Sequence, residues 1–470
     1  MKQLLTCLLI LFYITGNAQK NAVPLPTKQQ LAWHEMEFYL FMHFGPNTFT
    51  DKEWGHGDEP EDIFNPTQLD CRQWARIAKQ AGAKGIIITA KHHDGFCLWP
   101  SKYSTHTVRE SKWKDGKGDV LRELSQACRE YGLKFGVYIS PWDRNHPKYG
   151  TAEYNDVYVN TMKEIFANYG SIWELWWDGA NGEGPNGKKQ VYDWDRFKKT
   201  IKTISPKTVV FSDVGPHIRW VGNEKGIAGK TNWNYLDTVG FTPGAGAPST
   251  DTLNSGNKFG KAWIPAECDV SIRPGWFYHA NEDDKVKPGE QLFDLYLKSV
   301  GRGANLLLNV PPGRNGLINE NDSAALMAFK KLRDESFGNN LLQNAKAYWE
   351  VNEDAVLKNN VNYRALDKRG SYSINSQGFT VQMATATQIN CIVLREAIHL
   401  GQSIENFKIV LLNNDRQVSE INGTTVGRKR ILTFPAQTIT SFKVILNDRF
   451  GNDNVSGIAA YLLDEKLVEK

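Results

Sequence analysis

The strongest constraint on the fold is a regular alternation of short apolar runs with helix-like stretches between residues 38 and 312. Runs that are apolar throughout, without polar residues at every second position, are typical of strands buried on both faces. Strands that alternate with helices pair in parallel, because each connection has to cross back over the sheet. The pattern therefore predicts a parallel α/β architecture for this part of the chain.

Seven apolar runs mark predicted strands, at 38–42, 85–89, 133–138, 172–177, 208–211, 261–265 and 304–310, and an eighth is predicted near 235–239. Helix-like stretches between them include 71–81, 121–131, 157–169, 194–204 and 291–300. Eight strand–helix units at roughly this spacing predict a (β/α)8-like TIM barrel over residues 19–340. A doubly wound sheet is the alternative, but no GxGxxG motif follows the first strand.

After residue 340 the helical periodicity fades and short strand-like runs appear, at 379–383, 391–394, 407–412, 431–434 and 442–446. Turns rich in Asn, Asp and Gly separate them. Strands at this spacing predict an antiparallel β-sandwich over residues 341–470.

Residues 1–18 have the features of an export signal. Lys2 is followed by a short apolar run, and the small residues Gly16 and Ala18 suit cleavage after Ala18. This predicts a periplasmic or secreted protein. The run is too short to span a bilayer, and no later segment is long enough, so no membrane insertion is predicted.

Composition excludes several functions. With 56 basic and 52 acidic residues the formal net charge is +4, which does not indicate a nucleic-acid binder. The five cysteines after the leader are odd in number and form no CxxC pair, which favours buried free thiols over disulfides or a zinc ribbon. The 15 Trp residues are a weak indication of carbohydrate binding, since indole faces suit sugar C–H surfaces.

Polar residues cluster where the predicted strands end, which in a barrel is the side that carries the chemistry. The polar and aromatic residues at or near these ends include His43, Glu53, Trp54, His92, His93, Tyr138, Trp176 and Trp276. A metal at His92 and His93 is disfavoured, because adjacent residues on a strand point to opposite faces. Neutral imidazoles also suit hydrogen bonds to sugar hydroxyls, so no metal and no cofactor are predicted.

Glycoside hydrolysis requires two carboxyl groups on either side of the scissile bond. Asp178, at the end of the fourth strand, is the candidate for the first. Glu224 and Glu267 compete for the second: Glu224 lies in a glycine-containing segment, and Glu267 is expected to end the seventh strand, where burial could raise its pKa. The residues alone do not decide between retention and inversion.

The segments 41–45, 91–96 and 176–179 (FMHFG, KHHDGF and WWDG) resemble signature segments of the α-L-fucosidases of glycoside hydrolase family 29. The resemblance extends through Asn309 to Pro312. Residues 219–224, 394–396 and 400–402 resemble the subfamily that prefers α-1,3/1,4-linked fucose on branched glycans.

The resemblance implies a retaining double displacement on a fucosylated oligosaccharide or glycoconjugate. Asp178 falls on the nucleophile position and Glu224 on the acid/base position, and Glu267 remains the alternative acid/base. The three histidines would bind fucose hydroxyls, Trp54, Trp176 and Trp276 would pack on the ring and its methyl group, and Glu53 and Tyr138 are further candidates for contacts with the sugar. A glycosidase of different specificity and a non-catalytic carbohydrate-binding protein are the alternative functions.

Overall fold

The computed structural model describes residues 23–243, 246–349, 361–362, 378–450 and 455–468. The predicted leader, residues 1–18, lies outside these ranges and stays a prediction. No helix in the described part of the chain is long and apolar enough to cross a bilayer.

The first part of the chain forms the predicted barrel. In chain order its elements are α1 (Lys28–His34), β1 (Phe38–Met42), α2 (Pro46–Thr50), α3 (Cys71–Gln80), β2 (Gly85–Lys91), α4 (Val120–Tyr131), β3 (Lys134–Ile139), α5 (Tyr154–Asn168), β4 (Glu174–Trp176), α6 (Trp194–Ile204), β5 (Val209–Ser212), β6 (Ile218–Trp220), β7 (Tyr235–Leu236), α7 (Thr250–Ser255), β8 (Ala262–Trp263), β9 (Ala266–Ser271), α8 (Gly289–Lys298), β10 (Asn305–Asn309) and α9 (Glu320–Phe337). Short 3₁₀ helices span Glu61–Ile63, Trp113–Gly116 and Ala280–Glu282.

Eight parallel strands close the barrel in the order β1-β10-β9-β6-β5-β4-β3-β2. The (β/α)8-like fold class is therefore confirmed. One connection departs from the strict repeat: β5 and β6 are joined by residues 213–217 alone, with no helix between them.

Two of the predicted barrel strands are wrong. The runs 235–239 and 261–265 contain β7 and β8, which pair antiparallel with each other outside the barrel. Their places in the barrel are taken by β6 and β9. Strand β9 escaped prediction because Glu267, Asp269 and Ser271 interrupt its apolar residues, and β6 because it has only three residues. Glu267 is thus the second residue of its strand and does not end one.

Strand residues alternate between the inside of the barrel and the surrounding helices. In β1, Tyr39 and Phe41 pack inside, whereas Phe38, Leu40 and Met42 pack with the outer, helix-covered core. The neighbours Trp176 and Trp177 likewise belong to the inner and the outer core, as expected for adjacent residues at a strand end. All five cysteines of the described residues are free and buried, which confirms the prediction of free thiols.

Aspartates begin three of the helices that cover the barrel. The side chains of Asp70, Asp119 and Asp193 accept backbone N–H bonds in the first turns of α3, α4 and α6. Such caps satisfy N–H groups that have no partner within a helix. Each cap therefore fixes where the chain turns from a loop into the helix that leads to the next strand.

The C-terminal part of the chain is an antiparallel sheet domain, as predicted. Its strands are β11 (Lys346–Trp349), β12 (Val361–Asn362), β13 (Gly378–Glu396), β14 (Ile404–Asn413), β15 (Arg416–Gly423), β16 (Arg430–Arg449) and β17 (Val455–Tyr461), with 3₁₀ helices at Ile398–Leu400 and Glu465–Leu467. The sheet order is β12-β11-β13-β16-β14-β15, and β17 pairs with β13. The runs 379–383 and 391–394 prove to be two halves of β13, and 431–434 and 442–446 two halves of β16. Irregularities in register between these halves explain why they looked like separate strands.

The β7–β8 ribbon fastens the sheet domain to the barrel. The Tyr235 hydroxyl donates to the Gln402 carbonyl oxygen at 2.8 Å, and the Asn234 N–H donates to Gln402 Oε1 at 2.8 Å. Next to it, Lys429 Nζ lies 2.6 Å from Glu37 Oε1. The segment between β6 and β9, which contains the ribbon, thus contributes to the contact between the barrel and the sheet domain.

A buried ion pair joins β2 to the loop after β3. Lys91 Nζ lies 2.9 Å from Asp143 Oδ2, and both side chains are about 5% exposed or less. Lys91 also donates to the Tyr154 hydroxyl at 3.0 Å, and that hydroxyl donates to Asp143 at 3.1 Å. Burial alone would raise the pKa of Asp143, but the ion pair with Lys91 and its hydrogen bonds lower it to about 2.

Replacing Asp143 should destabilise the protein strongly, since Asp143→Asn leaves the buried Lys91 ammonium without its counter-charge. We expect the free energy of unfolding to fall by about 3–5 kcal/mol in urea titrations near pH 7. Because the pKa of Asp143 is depressed in the folded state, the wild-type advantage is present above pH 4 and is lost as the pH falls towards 2.

Asp156→Asn is the matched control. Asp156 pairs with Arg196 at the surface, where both side chains are more than 40% exposed, so its loss should cost no more than about 1 kcal/mol. Equal effects of the two substitutions would contradict the structural role given to the buried pair.

Candidate active site

Asp178 lies two residues beyond the end of β4, at the carboxyl side of the barrel. The Tyr138 hydroxyl donates to its Oδ2 at 2.9 Å, and the Ala180 N–H donates to its Oδ1 at 2.7 Å. His93 Nε2 lies 3.7 Å from Oδ2. The side chain is nonetheless 26% exposed, so this carboxylate is held on several sides and still open to a ligand.

His93 is fixed as a neutral imidazole whose free nitrogen faces Asp178. Its Nδ1 lies 2.8 Å from Ser140 Oγ, and that hydroxyl donates its proton to the Trp142 carbonyl oxygen. Nδ1 must therefore carry the ring proton, which leaves the lone pair on Nε2. Burial lowers the pKa of His93, against the opposing charge of Asp178.

His43 is held in the same tautomer by a partner on another strand. Its Nδ1 donates to Asn309 Oδ1 at 2.8 Å, because an amide oxygen can only accept. The amide nitrogen of Asn309 donates to Ser271 Oγ and to the Trp276 carbonyl oxygen. Burial lowers the pKa of His43 to about 3. His43 and His93 thus each offer an unprotonated Nε2 as an acceptor for a hydroxyl group.

His92 and His93 lie on the same side, and the prediction that they point to opposite faces is wrong. Their ring centroids are 4.2 Å apart, because β2 ends at Lys91 and the strand geometry does not continue through the pair. The His92 ring stacks on Tyr138, and its Nδ1 has no hydrogen-bond partner among the described residues. Burial, followed by the neighbouring His93 and His43, lowers the pKa of His92.

Closeness of the two rings does not create a metal site in the described part of the chain. No group of three or more His, Cys, Asp or Glu side chains there is arranged to hold a metal ion. The Nδ1 atoms of His43 and His93 are instead bound to Asn309 and Ser140, and the free Nε2 atoms suit polar recognition of a neutral ligand.

The predicted tryptophans differ in exposure. Trp54 is 55% exposed and packs edge-on against His93 and Trp142. Trp276 is half-buried and lies 5.1 Å from the His43 ring, centroid to centroid. Trp176 is 8% exposed and is enclosed by Tyr138 and Phe211, with centroids 5.4 and 3.9 Å away. Two of the three rings therefore present free indole surface.

The two candidates for the second carboxyl group occupy very different surroundings. Glu224 is exposed, and the Trp276 indole N–H donates to its Oε2 at 3.3 Å. Its loop is shaped by Gly222, whose φ of +84° places it in the left-handed region that favours glycine. Glu224 thus belongs to the same group of side chains as Trp276 and His43.

Glu267 is fully buried inside the barrel. The Tyr39 hydroxyl donates to its Oε2 and the Trp176 indole N–H donates to its Oε1 at 2.8 Å. Glu174, also fully buried, lies beside it, and burial raises the pKa of both carboxyl groups. Both oxygens of Glu267 are occupied by protein donors, beneath the aromatic layer formed by Trp176.

Sequence reasoning missed the side chains that hold these groups in place. Ser140 and Asn309 fix the tautomers of His93 and His43. Asp213, after β5, is a further carboxyl group near Asp178: burial, then the charge of Asp178, raises its pKa to about 6. The available signal was position, since Ser140 and Asp213 directly follow strands and Asn309 ends one.

Neutral imidazoles, indole surfaces and an open carboxylate at the carboxyl ends of parallel barrel strands define a barrel glycoside hydrolase. A family model described as α-L-fucosidase matches residues 17–331. The chain therefore belongs to the α-L-fucosidases of glycoside hydrolase family 29 and has the α-L-fucosidase activity of that family.

Individual relatives agree with this assignment. α-L-Fucosidase 1 of Arabidopsis thaliana is 44% identical over 425 residues, which are 88% of this chain and 82% of that protein. The crystal structure of a glycoside hydrolase 29 family member from an unknown rumen bacterium is 39% identical with a TM-score of 0.83, covering 94% of this chain and 78% of that chain. A Ruminococcus gnavus GH29 fucosidase in complex with fucose is 30% identical with a TM-score of 0.83, covering 97% and 98%.

Proposed function

We propose that this chain is an exo-acting, retaining α-L-fucosidase that releases terminal α-1,3/1,4-linked L-fucose from branched glycans. The observation that carries the proposal is the placement of Asp178, which is oriented by Tyr138 and Ala180 and remains accessible at the strand end. Asp178 acts as the nucleophile and Glu224 as the acid/base.

In the first step a carboxylate oxygen of Asp178 attacks the anomeric carbon of fucose, and the bond to the glycosidic oxygen breaks. Glu224 gives its proton to that departing oxygen. In the second step Glu224 takes a proton from water, whose oxygen attacks the same carbon and releases Asp178. A neutral His93 beside Asp178 suits this chemistry, because an imidazolium there would form an ion pair with the nucleophile.

The remaining site residues bind the sugar in this proposal. His43, His92 and His93 hydrogen-bond the fucose hydroxyls, and Glu53 and Tyr138 complete the polar contacts. Trp54 and Trp276 pack against the ring and its methyl group, and Trp176 supports them from within the barrel. Neutral acceptors and indole faces suit an uncharged deoxy sugar.

Exposure supports Glu224 over Glu267 as the acid/base. The acid/base must reach both the leaving oxygen and an incoming water. Glu224 is exposed, whereas Glu267 is inaccessible and accepts hydrogen bonds from Tyr39 and Trp176 on its two oxygens.

Covalent trapping tests the nucleophile. A fluorinated fucosyl donor with an activated leaving group should label Asp178, as found by mass spectrometry of peptides, because fluorine slows both steps and the leaving group restores the rate of the first. Asp178→Ala should lower kcat/KM by at least about 10³-fold without changing the melting temperature. Label on another carboxylate would overturn the assignment, and tight fucose binding without label or turnover would favour a non-catalytic binding protein.

Azide rescue tests the acid/base. Glu224→Ala should lose activity and recover part of it in azide, with formation of fucosyl azide, because azide needs no general base. Glu267→Gln should keep most of the wild-type rate, since the amide preserves the shape of a side chain that touches no substrate. Full activity of Glu224→Ala, together with loss and rescue in a Glu267 variant, would reverse the assignment.

The linkage preference rests on the segments 219–224, 394–396 and 400–402. The Arg219 guanidinium is fully buried and donates to carbonyl oxygens of Leu253, Ile264 and Trp233, which anchors the loop before Glu224. Glu396 and Gln402 accept backbone N–H bonds where the sheet domain meets the barrel. Arg219 thus anchors β6 just before the loop of Glu224, and Gln402 joins the sheet domain to the chain around Asn234.

Turnover of defined glycans tests this preference. We expect a higher kcat/KM on a branched Lewis-type oligosaccharide, with α-1,3- or α-1,4-linked fucose, than on an α-1,2-linked trisaccharide or a simple aryl fucoside. Chromatography of released fucose measures all three rates. A higher rate on the α-1,2-linked substrate would contradict the linkage proposal and leave the mechanism untouched.

A further inference from the structure

His279, in the segment after β9, is held between two carboxylates. Its Nδ1 lies 2.9 Å from Asp51 Oδ1, and its Nε2 lies 2.6 Å from Glu53 Oε1. Carboxylate oxygens accept hydrogen bonds, so both ring nitrogens donate and the ring is an imidazolium. The side chain is 11% exposed. His279 therefore joins the loop after β1 to the loop after β9 through a charged bridge.

Glu53 extends this bridge to the backbone that carries Trp276. The Trp276 N–H donates to Glu53 Oε2 at 2.8 Å, and the Phe277 N–H donates to Oε1 at 3.2 Å. A Cβ atom on Gly275 would lie 2.6 Å from Glu53 Oε1, so a larger residue there would displace the carboxylate. Glu53 thus fixes the position of the Trp276 backbone.

Trp276 in turn contacts both the proposed acid/base, Glu224, and a proposed sugar-binding residue, His43. Its indole N–H donates to Glu224 Oε2 at 3.3 Å, and its ring packs on His43. Its carbonyl oxygen accepts from Asn309 at 2.7 Å. Glu53 and Asn309 fix this backbone by hydrogen bonds. Loss of the hydrogen bonds to Glu53 would therefore let the indole move relative to Glu224.

We propose that His279 is a positioning residue, which acts through Glu53 and Trp276 to hold Glu224 where it protonates the leaving group. This rests on the proposed role of Glu224. The residue touches no reacting atom in this scheme; it neutralises two carboxylates and locks one loop against another.

The positive charge of His279 depends on pH. Burial disfavours the imidazolium, but the hydrogen bonds to Glu53 and Asp51 outweigh this and raise the pKa of His279 above its usual value. The other charged groups that face it are Glu282, Arg273, which donates to the His279 carbonyl oxygen, and Arg314, which pairs with Asp51. A raised pKa means that the imidazolium persists to a higher pH than that of a free histidine, and that the bridge weakens as the pH rises through that pKa.

The test compares leaving groups. Glycosidic oxygens of oligosaccharides need protonation, whereas a chloronitrophenolate departs without it. His279→Gln should lower kcat/KM on a fucosylated oligosaccharide at least about 10-fold more than on 2-chloro-4-nitrophenyl α-L-fucoside, because general acid catalysis is worth about 10²–10⁴-fold. The alkaline limb of its pH profile on the oligosaccharide should also move relative to the wild type.

His399→Gln is the matched control: this histidine is exposed in the sheet domain, and its replacement should change neither rate. If His279→Gln folds poorly, Asp51→Asn removes one of the two carboxylates and should give a smaller selective loss in the same direction. Equal losses on both substrates, or none, would overturn the positioning role. A wild-type enzyme that hydrolyses neither substrate would instead overturn the proposed function.

Discussion

Burial at the carboxyl ends of the barrel strands lowers the pKa values of His43, His92 and His93 and favours neutral imidazoles, and the proposed chemistry depends on this. A cation beside Asp178 would pair with its carboxylate and compete with an incoming sugar. Desolvation removes that possibility, since transfer of a charged ring out of water is costly. Each neutral ring then needs a partner that decides which nitrogen carries the proton, and Asn309 and Ser140 do this for His43 and His93.

Burial also divides the carboxyl groups of the barrel into two kinds. Glu174 and Glu267 lie fully inside the barrel, where burial raises the pKa of each and favours the protonated acid. Asp178 and Glu224 lie at the surface of the same end of the barrel, where they can reach a substrate. The interior pair supports the site indirectly, because Glu267 accepts the Trp176 N–H and Trp176 stacks on Tyr138, whose hydroxyl holds Asp178.

Local sequence predicted the architecture wherever burial and composition agree. Six of the eight barrel strands are purely apolar runs or nearly so, and they were found. Strand β9 was not, because its inward positions carry Glu267, Asp269 and Ser271, and such polar interior residues are justified only by partners such as Tyr39, Trp176 and Trp220. The apolar run 261–265 ends just before β9 begins, and it contains strand β8 of the ribbon instead.

The candidate site was predictable residue by residue but not as a network. Asp178, His43 and His93 stand out because polar side chains within two residues of the ends of buried strands need an explanation. The contacts that fix them come from residues up to 266 positions away, as with His43 and Asn309, and no local pattern encodes such pairs. The prediction that His92 and His93 point to opposite faces was wrong for a similar reason. Packing against neighbouring strands determines where β2 ends, and the local sequence does not show that position.

Trp276 shows why changes in such a network should not be additive. Its N–H is held by Glu53, its carbonyl oxygen by Asn309 and its indole N–H by Glu224. Asn309 also orients His43, so a disturbance that begins at the Glu53 end reaches the proposed acid/base and the proposed sugar-binding imidazole through one residue. Residues that share a partner in this way show interaction energies of about 0.5–3 kcal/mol in double-mutant cycles. In the proposed mechanism, binding of fucose at His43 and proton transfer at Glu224 are then coupled by the rigidity of a single loop, although the two side chains come from opposite halves of the barrel sequence.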